Sequence, residues 1–128
     1  MNANLKNETK IGDDDFSYEE ENLEEDETNV DVYTKKFKNP VLYKGEEIGE
    51  ITFDWTKLTG ADSMKIESEA RAKKQPVGMK EFSDFYLVRM AVRAGNVKVG
   101  ADFFEKLPLK TYNDITSAAR DFLLKSES

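Results

Sequence analysis

The sequence predicts an α+β domain: an N-terminal β-hairpin packed on a small helical bundle of three main helices and one short helix, preceded by a disordered acidic arm. Three observations carry that expectation. Apolar and polar residues alternate with period two around a Lys44-Gly45 turn, as in a hairpin with one buried face. From Leu58 onward, apolar residues recur at helical spacing in segments separated by Pro and Gly. The charge is also uneven: residues 1–31 hold twelve carboxylates against Lys6 and Lys10, so the arm carries −10 and residues 32–128 carry +3 of the formal net charge of −7.

The arm holds few large apolar residues, Leu5, Ile11, Phe16, Tyr18, Leu23 and Val30. Such a segment cannot bury enough surface to offset ~1–2 kcal/mol of backbone entropy per residue. Asp13-Asp14-Asp15 lacks the spaced ligands and central Gly of a calcium loop. The arm reads as a solubilising tail, with mimicry of nucleic acid or shielding of a basic partner as the competing readings.

From Val32 the composition becomes globular. Val32 to Lys38 mixes β-formers with charge, Pro40 interrupts, and Val41-Leu42-Tyr43 leads into the turn. Ile51, Phe53 and Trp55 alternate with polar residues on the return strand. A lone hairpin is marginal in water, so its apolar face needs helices. Thr59, with Asp62 three residues on, opens a helix running to about Lys73, by a shortened version of the capping box. Its apolar side is thin (Ala61, Met64, Ile66, Ala70), and Gln75-Pro76-Val77-Gly78 stops it. Glu81 to Ala94 is apolar on most faces, which predicts a helix buried on most faces. Gly95-Asn96 closes it with residues that tolerate the left-handed conformation. Val97-Lys98-Val99 is an extended link, and Ala101 to Leu107 a short helix. Pro108 opens the last helix, in which Leu109, Tyr112, Ile115, Ala119, Phe122 and Leu123 recur at helical spacing. The expected core is Ile51, Phe53, Trp55, Phe85, Tyr86, Val88, Met90, Val92, Leu107, Tyr112, Ile115, Ala119 and Phe122.

The chain has neither Cys nor His. That removes disulfides, thiolate chemistry, and the commonest metal ligand and general base. There is no Gly-rich phosphate loop. No apolar run approaches the ~18 residues of a membrane span. The expectation is a soluble, cytoplasmic, non-enzymatic protein without cofactors or metals, binding neither nucleic acid nor membrane.

Protein binding fits the residues best. Phe103 and Phe104 are adjacent in a short helix, where neighbours lie ~100° apart, so one of the two faces away from a single core unless both are satellite core. Val77 and Met79 lie in a loop and belong to no core face; Met is common at adaptable surfaces. Arg71, Lys73, Lys74 and Lys80 form a basic patch around the Pro76 loop, which Arg89 and Arg93 extend; Arg71, Lys73 and Lys74 complement a helix C-terminus, or the patch receives the acidic arm of the same chain or of a neighbouring subunit.

The order of segments over residues 41–124 resembles the small tail assembly chaperones of long-tailed bacteriophages. The matching residues are Tyr43-Lys44-Gly45-Glu46-Glu47, Leu58-Thr59-Gly60-Ala61-Asp62, a Glu/Ala/Arg-rich helix at Glu67 to Arg71, and a central apolar helix ending in Ala94-Gly95. Phe104-Glu105-Lys106-Leu107-Pro108, Tyr112-Asn113-Asp114-Ile115 and Phe122-Leu123-Leu124 close the set. The acidic arm departs from that pattern, since many such proteins begin near the hairpin. The resemblance implies binding of the tape-measure protein during tail assembly, recruitment of the tail-tube protein, self-association into rings or spirals, residence in the host cell cytoplasm and absence from the mature virion. It carries no catalytic motif. The alternatives are a structural tail or capsid component and an acidic inhibitor that mimics nucleic acid.

Overall fold

The computed structural model describes residues 29–125. The arm, except Asn29 to Asp31, lies outside the described residues, and so does the expectation that it is disordered. Strands β1 (Val32–Tyr43) and β2 (Glu46–Asp54) pair antiparallel across the two-residue turn Lys44-Gly45. Both turn residues have positive φ, 50° and 85°, the geometry that matches the twist of the flanking strands. Gly45 adopts it without steric cost, whereas Lys44 carries a left-handed backbone that L side chains disfavour.

Pro40 does not end the strand. The pairing Lys36↔Glu50 is followed by Val41↔Ile48, so four residues of β1, from Phe37 to Pro40, sit opposite Gly49. Pro cannot donate to a ladder and is accommodated at such irregularities. The shift also changes the phase of β2. Ile48 is thereby buried together with Ile51 and Phe53, although strict period two would put it on the other face.

Four helices follow the hairpin, three long and one short, as the sequence predicts. A 3₁₀ turn at Trp55–Lys57 leads into α1 (Gly60–Ala72). The Thr59 N–H donates to Asp62 Oδ2 at 2.8 Å, and Arg93 Nε donates to Asp62 Oδ1 at 2.6 Å. One carboxylate thus caps α1 and ties it to α2 (Asp84–Ala94). The Arg89–Glu69 pair, 3.2 Å apart, is a second tie. Helix α1 contributes only Ile66 and Ala70 to the interior.

The segment expected as one helix from Glu81 is split. Lys80–Phe82 is a 3₁₀ turn, and Ser83, with extended backbone, caps α2 by accepting the Tyr86 N–H at 3.1 Å. The break turns Phe82 out of the core. Gly95 is also not left-handed: its φ is −74°. A Cβ there would lie 3.1 Å from Ile51 Cγ2 and 3.3 Å from Phe53 Cε1, so this position needs glycine for the close approach of α2 to β2. The short helix α3 (Ala101–Glu105) and α4 (Leu109–Leu124), capped by Pro108, complete the fold.

The core runs through the inner face of the hairpin, α2, α3 and α4. Its largest fully buried side chains are Trp55, Phe53, Phe103, Phe104, Ile51, Leu87 and Ile115. Trp55 stacks on Phe53 at 5.4 Å and donates its backbone N–H to Asp31 O at 2.9 Å. Of the expected core, Phe85, Val92, Tyr112 and Phe122 are only partly buried and pack against its edge, and Leu109, though in the apolar stripe of α4, is exposed. Tyr43, Ile48, Leu87 and Val99 are core residues that the alternation pattern did not mark.

Candidate partner-binding site

Phe103 and Phe104 are 0% and 1% exposed, which removes both from the docking candidates. Of the two expectations for this pair, the one in which both are core residues holds, because α3 is short and wrapped on two sides. Phe103 meets Phe37 at 5.9 Å and Tyr43 at 5.4 Å on the hairpin. Its ring also packs edge-to-face on Phe104 at 5.4 Å. Phe104 turns the other way, into the floor of a cleft between the helices.

That cleft, of about 270 Å³, is floored by Phe85, Val88, Phe104 and Tyr112. Lys73 and Gln75 stand on one wall, with Asp84, Arg89 and Glu105 around the rest. Arg89 is fixed: its guanidinium lies 3.5 Å from the Phe85 ring centroid and its Nε bonds Glu69. Burial, together with the Asp84 carboxylate beside its hydroxyl, holds the Tyr112 phenol above its ordinary value of 10.0. This end of the cleft therefore pairs a neutral phenol with the Asp84 carboxylate. A cavity of this size accepts one or two side chains of a partner rather than a cofactor.

Residues 73–85 both leave and rejoin the cleft, since Lys73, Gln75, Asp84 and Phe85 line it. The ends of this loop are set by local chemistry. The Gln75 N–H donates to Ala70 O at 2.8 Å and the Lys74 N–H to Arg71 O at 3.0 Å. This is the helix-ending pair in which the first of the two donors takes a left-handed backbone, and Lys74 does so, with φ 61°. Helix α1 thus ends at Ala72 with the left-handed Lys74 just beyond its cap, before Pro76 is reached. Val77 is half-buried against the core, while Met79 is 60% and Phe82 66% exposed. Phe82 is held from one side by Arg120, whose guanidinium sits 5.9 Å from the ring and whose Nε donates to Glu81 O at 2.7 Å.

The structure therefore brings Lys73 and Phe104 to one cleft, sets Met79 on the loop whose ends line that cleft, and leaves Arg71 and Lys74 exposed at the end of α1. Arg71, Lys73 and Lys74 make no ion pair among the described residues. Sequence reasoning missed Phe82 as a surface residue. The signal was present in Ser83, a strong helix cap three residues before Tyr86. Among the described residues no group of three or more carboxylates is placed to hold a metal ion, and no helix is long and apolar enough to cross a membrane. Comparison of the chain with known protein families, with curated proteins and with solved structures finds no match in any of the three.

Proposed function

We propose that the chain is a tail assembly chaperone of a long-tailed bacteriophage. It acts in the host cytoplasm by binding, not by catalysis. It keeps the tape-measure protein soluble, helps recruit tail-tube subunits, self-associates on its client and leaves before the virion matures. The observation that carries the reading is the 73–85 loop, which holds Met79 and Phe82 out of the core and whose two ends line an apolar-floored cleft. An amphipathic client helix needs that combination: adaptable apolar contacts and a groove for an anchor side chain. A single such site is small, so affinity for a long client accumulates over many copies and each copy still releases readily. The ordered segments from Tyr43 to Leu124 that resemble this family give the reading its identity.

The test is co-expression with a tape-measure protein. The wild-type chain raises the soluble fraction of the client. The double variant Met79→Ser, Phe82→Ser keeps its melting temperature, because both side chains are exposed, and loses that effect. Equal client solubility with and without the wild-type chain overturns the proposal. So does recovery of the protein at stoichiometric amounts in purified virions.

A further inference from the structure

Helix α1 is held to the domain chiefly by polar contacts. It buries only Ile66 and Ala70, whereas α2 buries six residues. None of the largest fully buried side chains belongs to α1. Three ion pairs tie it down: Asp62 to Arg93 at 2.6 Å, Glu69 to Arg89 at 3.2 Å and Glu67 to Lys80 at 3.5 Å. The Ser63 and Tyr86 hydroxyls add a hydrogen bond of 2.6 Å. Tyr86, Arg89, Met90 and Arg93 recur at i, i+3, i+4 and i+7, so they share one face of α2. Three of the four bond to α1, and Tyr86 and Met90 are 5% and 2% exposed. Both tethers of α1 lack regular structure, Leu58-Thr59 on one side and residues 73–79 on the other.

We infer that α1 is a displaceable helix. It undocks while the rest of the domain stays folded, and the stripe of Tyr86, Arg89, Met90 and Arg93 then receives an amphipathic helix of a partner that carries α1's own pattern. The contacts of α1 define that occupant. Its docked face places Asp62, Ser63, Ile66, Glu67, Glu69 and Ala70 at helical spacing, so carboxylates flank a short apolar stripe. The cations they meet are Lys80, Arg89 and Arg93. The carboxylates on the same two elements are Glu81 and Asp84, and Asp84 is hydrogen-bonded to Tyr112 of α4. Lys65 and Arg71 of α1 are exposed, so the occupant needs carboxylates on its docked face and not a net negative charge. A partly exposed ion pair shifts an equilibrium by about fivefold at most. The three latches therefore yield to salt or to a competing helix, while the apolar core does not. Being tethered, α1 stands at high effective concentration over the stripe and screens it from weak binders.

Hydrogen exchange of the native full-length chain reads the undocking, because a released helix of 13 residues is marginal in water and opens its amides. The amides of Ile66 to Ala70 exchange at least ~10-fold faster than those of Leu87 to Ala91. Screening the three pairs between ~0.01 M and ~1 M salt widens that ratio roughly tenfold further. A synthetic peptide of residues 59–73 is the probe for the stripe. It shifts the amides of Tyr86, Met90 and Arg93. It binds the variant Ile66→Ser, whose own α1 has lost its aliphatic anchor, at least ~10-fold more tightly than the wild type. Asp62→Lys with Glu69→Lys in the peptide abolishes binding, and Arg89→Glu with Arg93→Glu in the Ile66→Ser chain returns it. The exchange measurement uses the wild-type chain, so it decides the undocking even where Ile66→Ser does not fold. Amides of α1 and α2 exchanging at one rate at every salt concentration overturn the inference. So do peptide shifts centred on Val88 and Phe104 in the cleft, or no shifts in either chain. Salt-dependent dimerisation of the wild-type chain, with α1 exchanged between copies, overturns a partner's helix as the occupant.

Discussion

Truncating Phe103 to Ala tests the reassignment of this residue from surface to core. Its ring is fully buried and touches three others, Phe37, Tyr43 and Phe104. Removing a buried Phe costs ~3–5 kcal/mol through lost burial and the cavity left behind. Each well-oriented ring pair contributes ~0.5–1.5 kcal/mol beyond area. Three pairs are lost at once, which places the expected cost in the upper half of that range, at about 4–5 kcal/mol. A surface residue would cost within ~0.5 kcal/mol, so the two roles differ by several-fold. Domains of this size are stable by ~5–15 kcal/mol, so the variant loses a large share of its stability. Urea unfolding reads this directly. The single tryptophan, Trp55, is buried and stacked on Phe53, so its emission reports the core. With a slope of ~1–3 kcal/mol per molar urea, the midpoint falls by roughly 2 M at unchanged slope. A loss below ~1 kcal/mol would refute the packing argument and return Phe103 to the docking surface.

Three further outcomes follow from the geometry. Gly95→Ala forces a methyl to within 3.1 Å of Ile51 and lowers stability by ~1–3 kcal/mol by overpacking, measured in the same unfolding assay. Lys74→Gly relieves the left-handed backbone at the end of α1 and raises stability by up to ~1 kcal/mol, the strain relief being partly offset by the greater freedom of Gly in the unfolded chain. The Asp62 carboxyl is held below its ordinary value of 3.8, first by the Thr59 N–H and then by Arg93. A depressed carboxyl pKa gives stability that is complete above the unfolded value and lost as pH falls through the folded one. Asp62→Asn therefore lowers stability at neutral pH and flattens the acid limb of a stability–pH profile below about pH 4.

The order and type of elements were legible in the sequence because they rest on local chemistry. Period-two alternation, a Gly turn, Thr59 with Asp62, and Pro108 each act within a few residues of where they stand. The chain also determined by itself that no reaction can use Cys or His. Tertiary structure decided what periodicity cannot address. Phe103 and Phe104 both bury because α3 is enclosed by the hairpin on one side and the helices on the other, an arrangement no spacing rule contains. Gly95 was legible as important but for the wrong reason, since its need is room for β2, a strand forty residues earlier. The loop with Met79 was visible as unexplained apolar residues, but that its two ends line one cleft required the fold, because Lys73 and Tyr112 become neighbours only when α1, α2 and α4 pack.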